Sequence, residues 1–320
     1  MKLGMVTDSL GSLSFEGVLD AAVGLGLDCV EFASGGWSST PHINVDRLLA
    51  NKSQRDSFAA ALRERKLEIS AFNCNGNSLH SGKSGRDHDK SIRKSIELAP
   101  QLGVDRIVLM SGCPAASGDK RPNWITVAWP PEMTEILEWQ WNEVLIPYWR
   151  DLVAFAKDKG VNHLCLELHG GQNVYNVATL TRLREACGEV VGVNFDPSHL
   201  MWMGADPIAS VEALGAAIYH VHAKDTRIDP RNVAINSRLE TKPNDRPLER
   251  SWNYVTLGYG NGEDFWRAFC LALRRVGYDG VLSIEHEDMA LSPMEGMRKS
   301  VELLRRTYIV EKASYELPKI

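Results

Sequence analysis

The sequence predicts an α/β chain closed into a (β/α)8 barrel with two long strand-to-helix loop insertions. Short apolar runs alternate with amphipathic stretches and a glycine stop along the whole chain. The turn Gly26-Leu27-Asp28 recurs as Gly103-Val104-Asp105, Gly160-Val161-Asn162 and Gly277-Tyr278-Asp279, so one helix-to-strand device is reused. The segment after the first strand, Thr7-Asp8-Ser9-Leu10-Gly11-Ser12, is not a glycine-rich phosphate turn, which disfavours an open doubly wound sheet.

The first strand covers Leu3–Thr7, and its helix is capped by Ser14 and stopped by Gly26. Cys29–Phe32 is the second strand, followed by short helices over Asn44–Ala50 and Ser53–Arg65. Leu67–Phe72 is the third, and its helix carries Ile92, Ile96, Ala99 and Leu102 on one face before Gly103. Arg106–Met110 is the fourth. The next helix shows Leu145, Trp149, Leu152 and Ala156 at helical spacing, with Pro147 as a kink or a start. Leu164–Leu168 and a helix over Val177–Ala186 follow, then Val190–Phe195. Asp206-Pro207 reads as an N-cap with proline at the first helical position. Ile218–His222 precedes a helix carrying Trp266, Phe269 and Leu273, which ends at Gly277. Val281–Glu285 is the last strand. Ser292-Pro293-Met294-Glu295 is a capping box opening a final helix, with Val301 and Leu304 inward. Residues 1–308 are expected to form one barrel domain, and 309–320 a tail that is loosely held or packs on a partner.

The 320 residues, 44% of them hydrophobic, suffice for one large core. A net charge of −5 without a block of like charge argues against nucleic acid as a partner. The six cysteines include no C-x-x-C pair and read as reduced, buried thiols. No charged and then apolar leader opens the chain, and no apolar run spans a bilayer. The expected compartment is the cytoplasm, away from any membrane.

Four successive strand-like runs end in residues that ligate cations: Glu167, Asp196, His222 and Glu285. Barrels gather their chemistry where strands end and long loops begin. Three carboxylates and an imidazole form an oxygen-rich set for one divalent cation, Mn²⁺ first, with Mg²⁺ or Co²⁺ as alternatives. Against a +2 ion the set leaves about −1, which resists a free anion and accepts a neutral carbonyl and hydroxyl. Side chains two apart on a strand share a face, so His169 follows Glu167, His220 precedes His222 and Glu287 follows Glu285. The two long insertions, Ser111–Gln140 and Lys224–Gly262, hold Trp124, Trp129, Trp139, Trp252, Tyr254 and Tyr259. These aromatics either tie the loops down as a satellite cluster or form a lid or platform for sugar rings.

With Glu167, the Asp196-x-x-His199 pair, His222-Ala223-Lys224-Asp225 and Glu285 in place, the chain from Met1 to about Tyr308 resembles the xylose isomerase-like TIM barrels, in their sugar-phosphate isomerase and epimerase branch. The resemblance implies that Glu167, Asp196, His222 and Glu285 bind metal, and that Glu167 and Glu285 also move protons. It implies that His199 touches a substrate oxygen and that an enediolate forms between the two proton transfers. The longer insertions and His169, a base that is not itself a ligand, also resemble the catalytic subunits of C-glycoside deglycosidases, and inosose dehydratases share the superfamily. All of these abstract a proton next to a carbonyl.

Two readings therefore stay open: an isomerase or epimerase of a sugar or keto-sugar, and a lyase that cleaves a 3-keto-glycoside or dehydrates a keto-cyclitol. A non-catalytic sugar-binding barrel is the alternative outside enzymes. A phosphodiesterase like endonuclease IV needs more ligands and basic grooves. Glu31 and Trp37, near the end of the second strand, are candidates for substrate contact, Glu31 equally for a structural role. His80 is a candidate reaching in from the third loop. Lys224 and Arg227 either hold an anionic group or face solvent. The expected partners are a small sugar or keto-sugar, with a homo-oligomer or a small second subunit as the protein partner.

Overall fold

Strands buried on both faces are the mark of a parallel sheet covered by helices. Cys29–Ala33 and Val191–Phe195 are buried at every residue. The computed structural model describes residues 1–314. Seven strands, β1 (Lys2–Val6), β2 (Cys29–Ala33), β3 (Glu68–Asn73), β4 (Arg106–Leu109), β5 (His163–Glu167), β6 (Val191–Phe195) and β7 (Ile218–Ala223), are followed by an antiparallel pair, β8 (Asp225–Ile228) and β9 (Trp252–Val255), and then by β10 (Val281–Ile284). β1 to β7 and β10 form a closed barrel with every pairing parallel.

The helices begin where side chains satisfy free backbone N–H groups. Ser14 Oγ accepts from Gly17 N at 3.1 Å, and Asp206 Oδ1 accepts from Ile208 N and Ala209 N. Ser292 Oγ accepts from Glu295 N at 3.3 Å; among the described contacts the reciprocal half of the expected capping box is not made. Gly103 and Gly160 close their helices at φ of 73° and 84°.

The main apolar core lies between the strands and the helices and includes Phe32, Phe72, Phe195, Trp149, Trp266 and Phe269. Inside the barrel a small separate cluster, Ala71, Val108 and Cys165, is fully buried. Register places it: Val108 pairs with Asn73 and with Cys165, on the inward face. Polar side chains fill the barrel above that cluster.

Three segments differ from expectation. Helix begins at Pro131, not near Leu145, so the end of the first insertion is helical: Pro131–Trp139, a π turn over Gln140–Leu145, then Ile146–Lys159. Ile146 N bonds back to Trp141 O, five residues earlier, and Pro147 follows directly; the widened turn accommodates a residue that has no N–H to give. The second insertion is built from β8, β9 and a helix over Pro230–Asn236, where the sequence shows only aromatic loop. The expected tail starts tied down, since Ile309 O accepts from Met1 N at 3.0 Å and from Arg274 Nη2 at 2.9 Å. Its remainder, 315–320, lies outside the described residues. No helix among the described residues is long and apolar enough to cross a membrane.

Candidate metal centre

Glu167 ends β5, Asp196 follows β6, His222 lies in β7 and Glu285 follows β10. Each offers one ligand atom, and these atoms all lie within 4.8 Å of one another. The four residues named from the sequence thus meet at one end of the barrel. Asp196 reaches there as the N-cap of a short helix, Pro197–Met203, its Oδ1 accepting from Ser198 N at 2.8 Å. Its Oδ2 is buried, with His199 Nε2 3.2 Å away.

His222 is oriented from below by Glu31. Glu31 is fully buried and collects four donors: Asn73 Nδ2 and His222 Nε2 at Oε1, both 2.9 Å, and His220 Nε2 and Ser283 Oγ at Oε2, both 2.7 Å. Burial alone would raise its pKa, but His222 and His220 outweigh that and hold it well below the usual carboxylate range. The sequence offered Glu31 for substrate contact or for structure; Glu31 lies beneath the cavity, is not among its lining residues, and clusters with His220 and His222. With Nε2 donating to Glu31, His222 Nδ1 faces Glu285 Oε2 at 3.4 Å and Glu167 Oε2 at 3.6 Å. Burial works against its charge, but Glu31 and Glu285 raise the His222 pKa well above the ordinary value, so this nitrogen holds a proton that a bound cation would displace. Nδ1 has no hydrogen-bond partner. Two carboxylate oxygens and an unpaired nitrogen facing one point fit a divalent cation.

Glu167 is held on three sides. His199 Nε2 lies 2.8 Å from Oε1, and Asn75 Nδ2 and Asn194 Nδ2 donate to Oε2 at 2.7 and 3.3 Å. Burial opposes its charge, but His199 and His222 keep it ionised, with its pKa far below the ordinary value. Burial likewise disfavours the His199 imidazolium, yet Asp196 and Glu167 raise its pKa to about 9. His169 stands against His199 with ring centroids 4.2 Å apart. Burial, then repulsion from His199, lowers its pKa to about 4, so it is neutral at ordinary pH. Its Nδ1 carries the proton, because its partner Gly170 O can only accept, and this leaves Nε2 as a base.

A cavity of about 430 Å³ opens above the centre. Glu167, Glu285, His169, His199, Lys224 and Trp37 all line it, as named from the sequence. Lys224 is no solvated loop residue: it is 3% exposed, with Nζ 3.1 Å from Glu285 and 2.7 Å from Glu287. Burial works against its charge, but these carboxylates raise its pKa well above the ordinary value. Arg227 does face solvent. His80 is absent from the cavity wall; its Nδ1 accepts from Gly82 N and shapes the turn before the helix Lys83–Leu98.

Sequence reasoning gave no role to Asn75, Asn194 and Asp8 and named Glu287 only as sharing a face with Glu285; all four surround the same centre. Asn194 had a visible signal: it is a polar residue in an apolar strand, two before Asp196 and so on the same face. The aromatics divide. Trp252 stacks on Trp202 at 4.7 Å and Trp124 meets Tyr175 edge-on at 5.4 Å, both as loop packing. Tyr254 belongs to the site, with Oη 2.8 Å from His199 Nδ1. Trp129 is 75% exposed and is not among the residues lining the cavity.

The chain is 48% identical over 310 residues to the Bacillus subtilis (strain 168) protein YfiH, covering 96% of this chain and 99% of that one. Its fold matches the apo structure of 3-keto-D-glucoside 4-epimerase, YcjR, from E. coli, with a TM-score of 0.66, 18% identity and coverage of 96% and 99% of the two chains. It also matches the IolI protein with a bound zinc atom, with a TM-score of 0.65, 18% identity and coverage of 97% and 100%. Residues 19–307 match the family described as xylose isomerase-like TIM barrel, whose relatives here include sugar epimerases and inosose dehydratases. Family match, closed parallel barrel and long relative agree: the chain belongs to the xylose isomerase-like TIM barrel family.

Proposed function

We propose that this chain is a divalent-metal-dependent isomerase or epimerase that exchanges a proton next to the carbonyl of a sugar or keto-sugar. The observation that carries this is a division of labour among the four clustered residues. Asp196 and His222 lie below the cavity wall, whereas Glu167 and Glu285 are both in the cluster and in the wall. When bound, the cation, Mn²⁺ by donor set with Mg²⁺ or Co²⁺ also suited, supplies Lewis-acid polarisation of a carbonyl and its neighbouring hydroxyl. Glu285 is kept ionised by Lys224 and His222 against the effect of burial, and takes the proton on its carboxylate. Glu167 comes from a strand three places away round the barrel and is ionised at rest, so the proton it delivers from the other side comes from the His199 imidazolium, whose Nε2 lies against its Oε1, and both His199 and Glu285 regain their resting protonation from water. Lys224 Nζ fixes Glu285 and offers N–H to a substrate oxygen.

The test is proton exchange on a panel of ketoses and 3-keto-glycosides in deuterated water. Metal-dependent deuterium uptake at one carbon, with no loss of material, is expected, and Glu285→Gln should abolish it. Absence of exchange across the panel, with metal bound, contradicts the proposal.

His169 favours one second reading. A neutral imidazole with Nδ1–H engaged and Nε2 free can take a proton without leaving the metal set. That suits a lyase acting on a 3-keto-glycoside or keto-cyclitol. Products lacking a leaving group, formed by the wild type and not by His169→Ala at unchanged metal content, would select it.

A further inference from the structure

We infer that the substrate is an unphosphorylated, uncharged keto-sugar, selected by the outer wall of the cavity above the metal centre; this rests on the proposed reaction and names its substrate class. β10, β1 and β2 are successive neighbours in the barrel. Glu287, Asp8 and Trp37 follow these three strands, and all three residues line the cavity. β1 stands opposite β5 and β2 opposite β6 in the eight-stranded ring, so Asp8 and Trp37 lie across the mouth from Glu167 and Asp196. A sugar that turns its carbonyl and adjacent hydroxyl to the clustered ligands therefore presents its far end to this wall.

That wall has no charge to offer a phosphate. The lining holds four carboxylates, Asp8, Glu167, Glu285 and Glu287, and among the described residues a single lysine or arginine, Lys224. Lys224 Nζ sits 3.1 Å from Glu285 and 2.7 Å from Glu287, so its charge is already matched. Asp8 Oδ2 accepts from Ser38 Oγ, and among the described residues no ion pair engages Asp8. With a +2 cation seated, the three carboxylates of the cluster still outnumber it by one. Lys224 and Glu287 offset each other, as do Asp8 and the His199 imidazolium, which leaves the mouth at about −1 formally. A phosphate ester, itself near −2, would enter against like charge with no free cation to meet it.

A hydroxyl-bearing ring is suited instead. Glu287 and Trp37 are 49% and 58% exposed, so both present free surface at the mouth. A carboxylate accepts from a sugar hydroxyl, and the indole covers ring C–H groups. Trp37 is held in place by its backbone N–H, which donates to Asn75 O at 2.8 Å. The space of about 430 Å³ is nearly three times the roughly 150 Å³ that takes one benzene ring, which suits a hexose of about a dozen heavy atoms.

The experiment titrates the intact Mn²⁺-loaded protein with methyl 3-keto-β-D-glucoside and with its 6-phosphate, by calorimetry at about 50 and about 500 mM salt, beside proton exchange on both. At low salt the uncharged sugar should bind at least about tenfold more tightly, and screening should narrow that gap at high salt. The double variant Asp8→Asn, Glu287→Gln keeps the shapes and removes two charges, and at equal metal content it should narrow the gap at low salt. Trp37→Ala should weaken both sugars alike, roughly three- to tenfold, because the ring contributes area and not charge. Equal or tighter binding of the 6-phosphate, a gap that neither salt nor the double variant narrows, or no binding of either sugar would each overturn the substrate class. Selective binding without proton exchange supports the class and counts against the proposed reaction alone; exchange confined to the 6-phosphate overturns the class and leaves the reaction standing.

Discussion

Tyr254 Oη lies 2.8 Å from His199 Nδ1, tying the β8–β9 insert to the short helix that Asp196 opens. The tyrosine ring also lies 4.2 Å from Lys224 Nζ. One residue of the insert therefore touches both the imidazole beside Glu167 and the ammonium beside Glu285. A hydroxyl both donates and accepts, so it serves His199 in either protonation state. The insert is part of the site and not an ornament on the barrel.

Tyr254→Phe keeps the ring and removes that contact. Turnover is expected to fall about tenfold, with a stability loss of about 1 kcal/mol. Metal content should be unchanged, as shown by elemental analysis beside rate and thermal unfolding. An unaltered rate would confine Tyr254 to packing.

Glu31→Gln acts one layer below. Glu31 meets four donors, and an amide brings its own N–H groups against some of them. His222 then loses the partner that fixes its ring, and such partners typically contribute 10- to 100-fold in metal affinity, as an approximate range. Isothermal titration of the metal-free protein with Mn²⁺ should show that weakening, with a stability loss of about 2 kcal/mol. Equal affinity in the variant would separate Glu31 from the metal centre.

Gly36→Ala reaches the site through backbone. Gly36 has φ of +72°, and a Cβ there would stand 2.0 Å from Asn75 O. Asn75 must shift, and its Nδ2 holds Glu167 Oε2 at 2.7 Å. A loss of about 2 kcal/mol and slower turnover are expected, the first from left-handed strain and the clash together. Chemical denaturation and rate measurement check both.

His42 provides a pH test away from the metal. It is 5% exposed, with Nε2 bonded to Leu13 O at 3.1 Å and Nδ1 unpartnered. Burial lowers its pKa, more than Leu13 O and Asp8 raise it. The unfolded chain therefore binds the proton first as pH falls. The stability His42 contributes is full above the unfolded value of about 6.5 and is lost as pH drops from there towards the folded value. His42→Gln should flatten the fall in unfolding free energy between about pH 7 and pH 5. Identical slopes in both proteins would contradict this.

Much of this was legible in the chain because period-two and helical patterns report burial directly. Glu167, Asp196, His222 and Glu285 stand at strand ends, where barrel geometry forces convergence, so their meeting followed from topology. The layer beneath did not. Glu31 sits mid-site because β2 faces β7 and β10 across the barrel, a relation between residues up to 252 positions apart that no local pattern encodes. Lys224 reads as a loop cation until Glu285, Glu287 and the Tyr254 ring are seen around it. The β8–β9 pair was hidden for a different reason: its strands are four residues each and are separated by 23 intervening residues, without a hairpin turn to announce them.

The central claim is a single divalent cation held by Glu167, Asp196, His222 and Glu285. Metal analysis of the purified protein after Mn²⁺ loading and dialysis tests it most directly, set beside folded Asp196→Ala and His222→Ala. The account predicts one equivalent in the wild type and none in either variant. A wild-type protein that retains no metal, or variants that retain as much, would contradict it.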